Sequence, residues 1–157
     1  MITYFAADGA QRVVFEDAVL DHFARHRQLG SRDPEAGGQL FAAISNGTVT
    51  IVQATGPYNR DKRWRFGLLI DNFTRRRDIG RLHKQGLHFV GDWHTHPEPY
   101  PTPSGTDHDS MLEMFRRSDH DLAAFLMVIV GQAALPAGLY VAAVNGDGTH
   151  PLPRYRP

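Results

Sequence analysis

The chain has 157 residues, of which 41% are hydrophobic and 22% charged, and these proportions are ordinary for one folded domain with its own hydrophobic core. Lysine and arginine together number 17, as do aspartate and glutamate, so the formal net charge of zero offers no general electrostatic attraction for nucleic acid. The absence of cysteine excludes disulfides, thiolate metal sites and a cysteine nucleophile. A metal in this protein must therefore be held by His, Asp or Glu.

The sequence contains no apolar stretch of transmembrane length, and its first residues, MITYFAADGAQR, lack the basic and then apolar pattern of a signal peptide. The one basic cluster, RRR at 75–77, is short and favours a solvated helix face over a binding patch. We therefore expect a cytoplasmic protein whose partners include neither nucleic acid nor a membrane.

Hydrophobic periodicity predicts the elements in the first half of the chain. A helix is expected from about Val14 to Leu29, with Gly30 as its stop. The pair Asn46-Gly47 tolerates positive φ, so it predicts a hairpin between antiparallel strands at 39–44 and 48–55. The run at 64–70 is predicted to be a further strand.

The second half continues with alternating helices and strands. A helix is predicted from Asp71 to Gln85, ended by Gly86, and a strand from Leu87 to Trp93 leads into a loop and a helix that begins near Thr106. The nearly continuous apolar run at 122–130 is typical of a central buried strand, another strand follows at 139–144, and 145–148 is a turn.

These elements predict an α/β fold in which helices pack on a mixed sheet. Residues 1–149 are expected to form one domain. The last eight residues, HPLPRYRP at 150–157, are rich in proline and are expected to form an extended tail.

One short stretch, GDWHTHPEPYPTPSGTD at 91–107, concentrates polar side chains between a strand and a helix. Alternate residues of a strand face the same side, about 6.6 Å apart at a rise of roughly 3.3 Å per residue. His94 and His96 can therefore converge on one metal ion, whereas Thr95 would face the other way. Pro97 ends the strand because proline cannot donate to the ladder.

Each part of this stretch also has a purely structural explanation. The chain has nine histidines, so an isolated H-x-H pattern is often incidental. Ser104 and Asp107 are spaced as in a capping box at the start of a helix. Next to the two histidines, however, an acid in the first helical turn is well placed to be a third ligand. Two His and one Asp leave a tetrahedral zinc with one open position, which is typical of catalytic sites.

Hydrolysis at such a site also needs a carboxylate that manages the protons of the attacking water. Five acids are candidates by position: Glu35, Asp92, Glu98, Asp109 and Glu113. Glu35 precedes a strand that is expected to neighbour the histidines, and the two glycines that follow it permit close backbone approach. Asp92 shares the strand face of His94. Spacing alone does not decide among them.

The combined pattern resembles the JAMM (JAB/MPN) metalloprotease family. That family has an upstream Glu, then H-[ST]-H-P, seven residues, and S-x-x-D. Here Glu35 lies in PEAGGQLF, His94 and His96 lie in HTHP, and Ser104 and Asp107 lie in SGTD after the expected spacing. The resemblance extends over most of the chain, roughly 15–144.

The resemblance implies a role for each matching residue. His94, His96 and Asp107 would bind one Zn²⁺ per chain, Glu35 would act as general base and then acid, and Ser104 would donate a hydrogen bond to the oxyanion. It also implies a single-domain, cytidine-deaminase-like α/β/α sandwich with a curved mixed sheet. The implied activity is cleavage of an isopeptide or peptide bond after the C-terminus of a ubiquitin-like protein.

Within the family, the stretches ATGPYNRD and GLHFVGDWHTHPE look like those of bacterial members encoded beside E1-like and E2-like proteins. Those systems, some of them antiviral, attach ubiquitin-like tags or a signalling enzyme to targets, and the protease reverses or primes the attachment. Expected partners are therefore a ubiquitin-like protein or its conjugates, with E1-like and E2-like proteins of the same operon.

Two features are expected to contact an extended substrate tail. The strand at 64–70 is a candidate edge for strand addition, and the loop at 99–103 is a candidate wall, with Tyr100 as an aromatic contact. For both features a buried strand and an inert loop are the structural alternatives.

Three other functional classes compete with this interpretation. A catalytically silent MPN-type scaffold and a zinc peptidase for sulfur-carrier proteins or short peptides both stay open. A zinc nucleobase deaminase would share the fold, but its P-C-x-x-C element requires cysteine, which the chain lacks.

Overall fold

The computed structural model describes residues 1–6 and 9–157. Within these ranges the strands are β1 (Ile2–Phe5), β2 (Arg12–Phe15), β3 (Gly37–Ser45), β4 (Thr48–Ala54), β5 (Lys62–Trp64), β6 (Gly67–Leu69), β7 (His88–Thr95), β8 (Phe125–Val130), β9 (Leu139–Asn145) and β10 (Gly148–Pro151). The helices are α1 (Asp17–Arg25), α2 (Asn72–His83) and α3 (Gly105–Arg117). None of these helices is long and apolar enough to cross a membrane.

Eight of the strands form one mixed sheet in the order β1-β2-β4-β3-β7-β8-β9-β10. The pairs β2–β4 and β7–β8 are parallel and the others antiparallel. The sheet curls until the chain after β10 reaches the opposite edge, where Tyr155 N donates to Thr3 O at 2.8 Å and Phe5 N donates to Pro153 O at 3.0 Å. Leu152, which precedes these contacts, is buried, and its N donates to Val141 O at 2.9 Å.

Helices cover both faces of the sheet, which gives the α/β/α sandwich that the resemblance implies. On one face α1 buries Val19 and Phe23 against Phe15 and Trp93. On the other face α3 buries Met111 against the apolar side chains of β8 and β9, and α2 lies beside β7. The fold class and the single-domain architecture are confirmed.

Most predicted elements are confirmed, including the β3–β4 hairpin, in which Asn46 and Gly47 have φ of 49° and 72°. The predicted helix from Val14 is wrong at its start, because 12–15 forms β2 and the helix begins at Asp17. The segment RVVF pairs with β1 on one side and β4 on the other. Its β-branched side chains suit that position, and tertiary pairing overrides the helical periodicity.

The predicted strand at 64–70 is also wrong, since this segment contributes to a small hairpin. Strands β5 and β6 pair with each other and form a separate two-stranded sheet. Arg65 and Phe66 make the turn. A Cβ on Gly67 would lie 2.4 Å from the Trp64 indole, so glycine lets the ring fold over the turn. We call residues 62–69 the rim hairpin.

Candidate active site

Strand β7 carries His94 and the chain continues directly to His96. Thr95 lies between them and its side chain is buried on the opposite face of the sheet. The ladder extends one residue past the strand, because His96 N donates to Val130 O at 3.0 Å. Both imidazoles therefore face the same side, and their Nε2 atoms are 3.1 Å apart.

Asp107 reaches the same point from the first turn of α3. One carboxylate oxygen lies 3.3 Å from His94 Nε2 and the other lies 3.1 Å from His96 Nε2. Ser104 and Asp107 also form a complete capping box, in which Ser104 N donates to Asp107 Oδ2 at 2.8 Å and Asp107 N donates to Ser104 Oγ at 3.1 Å. The two explanations of this spacing are therefore compatible, because the capping box holds the carboxylate in place against the imidazoles.

These three side chains fit a tetrahedral zinc ion. Two ligands at about 2.05 Å from such an ion lie roughly 3.3 Å apart, and the separations between the facing atoms are 3.1, 3.1 and 3.3 Å. Two imidazole nitrogens and a carboxylate are also a donor set that zinc accepts. The site can therefore hold a metal of this kind.

Glu98 orients one of the two rings. Its Oε1 accepts hydrogen bonds from His96 Nδ1 and from Thr102 N, both at 3.0 Å. The carboxylate favours the tautomer with the proton on Nδ1, so Nε2 keeps its lone pair for a metal. Burial opposes ionisation of His96, but hydrogen bonds with Asp107 and Glu98 outweigh it and raise the pKa of His96 to about 9, so a metal would displace the proton from Nε2 when it binds.

The carboxylate of Asp107 is the main anionic group facing the histidines. Burial works against its charged form, but the hydrogen bonds with His94 and His96 hold the pKa of Asp107 well below its usual range. The carboxylate is therefore ionised at neutral pH and attracts a cation to the point that the three side chains face.

Glu35 lies just before β3 and next to the point that His94, His96 and Asp107 face. It is buried, and its carboxylate is within 4.8 Å of the donor nitrogens of His94 and His96. Asp107 makes the shorter contacts with both rings. Burial raises the pKa of Glu35, and the two imidazoles oppose this rise. A carboxyl group with a raised pKa is suited to exchange protons near neutral pH.

Two glycines after Glu35 let its strand approach the site closely. A Cβ on Gly37 would lie 2.5 Å from Leu68 Cδ2 and 3.1 Å from His94 Cβ, and one on Gly38 would lie 1.7 Å from Thr55 O. The backbone of Glu35 is held by the rim hairpin, since its N donates to Trp64 O at 2.8 Å and its O accepts from Arg63 Nε at 2.7 Å.

The other candidate acids have different partners. Asp92 shares the strand face of His94 but forms a two-point ion pair with Arg75, with distances of 3.0 and 3.2 Å. Glu113 pairs with Arg117 on the exposed side of α3 at 3.0 Å, and Asp109 is exposed on the same helix. Glu35 differs from these three acids because it lies beside the imidazoles. In the part of the chain that the structure describes, its carboxylate forms no ion pair with Lys or Arg.

The site opens into a cavity of about 750 Å³. One wall is the rim hairpin together with Ile70, and the other is formed by Thr102, Pro103 and the start of α3. Tyr100 is 69% exposed and lies outside this lining. Of the two features expected to contact a substrate, the segment 64–70 thus lines the cavity with every residue except Arg65, and the loop at 99–103 lines it only with its last two residues.

Sequence reasoning missed the orienting contact of Glu98, which it considered only as a proton carrier. A signal was present, because a carboxylate two residues after His96 and beyond a proline lies within reach of the ring. It also missed the rim hairpin and Gln28, whose side chain accepts a hydrogen bond from Thr95 between the two histidines. Neither has a local sequence signal, since each depends on contacts between distant segments.

Comparisons with known proteins agree with this fold and site. The family described as prokaryotic homologs of the JAB domain matches residues 16–141. The chain therefore belongs to the prokaryotic JAB-domain family.

Three relatives that share one name are similar to this chain over most of its length. A protein of Pseudomonas aeruginosa named CD-NTase/cGAS isopeptidase is 33% identical over 153 residues, which cover 94% of this chain and 92% of the relative. Proteins with the same name from Escherichia coli and Vibrio cholerae are each 28% identical and cover 82% and 76% of this chain, and 81% and 76% of their own lengths.

Solved structures support the fold. A protein of Desulfitobacterium hafniense has a TM-score of 0.62 at 18% identity, covering 88% of each chain. A protein of Salinibacter ruber has a TM-score of 0.55 at 23% identity, covering 92% of this chain and 91% of the other.

Proposed function

We propose that this protein is a zinc-dependent isopeptidase that cleaves the amide bond formed by the C-terminus of a conjugated protein. The observation that carries the proposal is the meeting of three donor groups, from His94, His96 and Asp107, at separations of 3.1 to 3.3 Å. Glu35 lies beside them at the base of an open cavity. Membership of the JAB family and the names of the relatives agree with this assignment.

In this proposal His94 and His96, through Nε2, and the Asp107 carboxylate hold one Zn²⁺. A bound zinc with one open position lowers the pKa of water to about 7 and polarises the carbonyl group of a substrate. Glu98 and the capping box of α3 keep the ligands in position before the metal arrives, because each fixes the orientation of one ligand side chain.

Glu35 moves the proton in the proposed reaction. Its carboxylate takes a proton from the attacking water and delivers it to the nitrogen of the leaving amine, so that the products are a free carboxylate terminus and a free amine. The raised pKa of Glu35 suits both halves of this exchange.

Ser104 is placed to stabilise negative charge on the substrate. Its Oγ already accepts a hydrogen bond from Asp107 N, which leaves the hydroxyl proton available for donation. Donation to the oxygen of the scissile carbonyl, as that oxygen gains charge, would lower the barrier for amide hydrolysis.

The substrate must supply an extended tail that reaches the base of the cavity. We propose that this tail runs beside β6, whose residues line the cavity, by strand addition. The tail would belong to a ubiquitin-like protein or, as the names of the relatives indicate for those proteins, to a CD-NTase/cGAS enzyme. Partners would then be the conjugates and the E1-like and E2-like proteins that make them, in a cytoplasmic defence system.

The proposal is tested with fusions in which a CD-NTase, or a ubiquitin-like protein, from the same genome is joined by its C-terminus to a fluorescent protein. We expect the zinc-loaded protein to cleave one of these fusions after the tail, the metal chelator 1,10-phenanthroline to stop cleavage, and added Zn²⁺ to restore it. Mass spectrometry of the products identifies the bond.

Two outcomes would contradict the proposal. Cleavage that continues both after chelation and in Glu35→Ala would remove the metal mechanism. A protein that binds no zinc at stoichiometric ratio and cleaves neither fusion would instead be the silent scaffold.

A further inference from the structure

A buried glutamine lies directly behind the candidate active site. Gln28 follows α1 and has no exposed surface. Its side chain lies on the face of the sheet that α1 covers, opposite the face on which His94 and His96 meet Asp107. Within residues 1–6 and 9–157, the hydrogen bonds of its side chain go to Asp33, Arg65 and Thr95 and to none of the proposed metal ligands.

The side-chain amide of Gln28 joins three separate segments of the chain. Its Oε1 accepts a hydrogen bond from Thr95 Oγ1 at 2.7 Å. Its Nε2 donates to Asp33 O at 3.1 Å and to Arg65 O at 2.9 Å. Both amide hydrogens and the acceptor oxygen are therefore in use, and this combination of one acceptor and two donors is particular to an amide.

Each residue that the Gln28 side chain contacts by a hydrogen bond is close to an active-site residue, either in sequence or through one further hydrogen bond. Thr95 separates the two histidines, and its Oγ1 also accepts from Ala36 N at 2.9 Å. Ala36 and Asp33 flank Glu35 at a distance of one and two residues. Arg65 belongs to the turn of the rim hairpin, next to Trp64, whose O accepts from Glu35 N at 2.8 Å.

We infer that Gln28 is a positioning residue that sets Glu35 relative to the His94–His96 pair. The chain of hydrogen bonds runs from the strand of the histidines through Thr95 to Gln28, and from Gln28 to both sides of Glu35. Because one amide group makes all of these hydrogen bonds, its loss releases the segment that carries Glu35 and the rim hairpin together. A displacement of about 1 Å in a reacting group can cost on the order of 100-fold in rate.

This inference deepens the proposed function and rests on it, so its test needs a readout that does not require cleavage. Gln28→Leu removes all three hydrogen bonds with little change in side-chain length. Phe23→Leu is the matched control, because Phe23 is fully buried on the same face of the sheet but contacts none of the three segments by hydrogen bonds. Each variant is measured at the same number of degrees below its own midpoint of thermal unfolding, so that differences in overall stability do not enter the comparison.

For Gln28→Leu we expect hydrogen exchange at 33–36 and 62–69 to rise at least about tenfold, while exchange in β8 stays at the level of the control. Zinc content should remain one per chain. With the CD-NTase or ubiquitin-like fusion as substrate, kcat should fall about 10- to 100-fold and KM should rise no more than about threefold. In Phe23→Leu both kinetic constants should stay close to those of the unaltered protein.

Thr95 supplies an independent check that holds even where Gln28→Leu folds poorly. Thr95→Val removes the hydroxyl at nearly constant volume and should reproduce the rise in exchange at 33–36, whereas Thr95→Ser should recover most of the lost kcat. The double variant Gln28→Leu/Thr95→Val should lose scarcely more than Gln28→Leu alone, because the two side chains act as one unit.

The inference is overturned if Gln28→Leu loses no more kcat than Phe23→Leu, or if exchange rises evenly over the whole sheet. Strictly additive effects of Gln28→Leu and Thr95→Val would also contradict it. Failure of the proposed function would look different, because the unaltered protein would then lack chelator-sensitive cleavage while the exchange pattern of Gln28→Leu could still be measured.

Discussion

The eight-stranded sheet and the rim hairpin both line the cavity, but the sheet buries its aromatic side chains whereas the rim hairpin exposes them. Central strands bury their residues almost completely, as with Trp93 at 0% exposure, and the site groups are fixed by short hydrogen bonds around them. The rim hairpin instead exposes Trp64 by 51% and Phe66 by 77%. The groups for chemistry thus lie on or next to tightly packed elements, and exposed apolar side chains of the rim hairpin are available for recognition.

The two regions are nevertheless connected through Glu35. Its backbone makes two hydrogen bonds to the rim hairpin, while its side chain faces the histidines of the sheet. Substitutions at the metal site should therefore change mainly kcat, and substitutions in the rim hairpin should change mainly KM. Substitutions at the neighbours of Glu35, which connect the two regions, should change both.

The largest effect is expected on the sheet side, from Glu35→Gln. Loss of the proton carrier should lower kcat by about 10²- to 10⁴-fold, while zinc content, measured by inductively coupled plasma mass spectrometry, stays at one per chain. Asp107→Asn is the comparison and should lose zinc. The reverse pattern, with zinc lost from Glu35→Gln and kept in Asp107→Asn, would exchange the roles of the two acids.

A matched pair of phenylalanines should show the difference in packing. Phe15 is fully buried in β2 and Phe66 is exposed at the tip of the rim hairpin. In urea unfolding, Phe15→Ala should cost about 3–5 kcal/mol because it leaves a cavity in a packed core, and Phe66→Ala should change the free energy of unfolding by less than about 0.5 kcal/mol. Equal losses would mean that the rim hairpin is part of the cooperative core.

An intermediate effect is expected from Glu98→Ala, which removes the acceptor that orients His96. Zinc affinity, measured by competition with a chelating dye, should fall roughly 10- to 100-fold. Glu113→Ala is the control, since Glu113 is a similarly exposed acid that pairs with Arg117 on the outside of α3. If both variants bind zinc equally, the contact between Glu98 and His96 does not tune the metal site.

The smallest effect is expected at the rim, from Trp64→Ala. Loss of an apolar contact with the substrate tail should raise KM about tenfold, equivalent to about 1.4 kcal/mol, while kcat changes by less than about twofold. Phe73→Ala is the control, because Phe73 is 62% exposed but does not line the cavity. A fall in kcat without a change in KM would assign Trp64 to the positioning of Glu35 instead.

Much of the fold followed from local patterns. The hairpin at Asn46 and Gly47, the start of α2 next to Asp71 and the apolar run of β8 depend on neighbours in sequence, and each was predictable. Strand β2 was not, because its four residues become a strand only when β1 and β4 lie on either side. The rim hairpin was misread for a similar reason, since its turn lacks the Asn-Gly type of signal.

The sequence by itself determined the chemical types at the site and the alternation that makes His94 and His96 face one side. It also determined the capping box, because Ser104 and Asp107 are three residues apart on one chain. Only the tertiary structure decided that Asp107 meets both imidazoles, that Glu35 lies beside them, and that Gln28 joins the segments behind them. Those relations depend on distances between elements, and only the packing of helices on the curled sheet sets such distances.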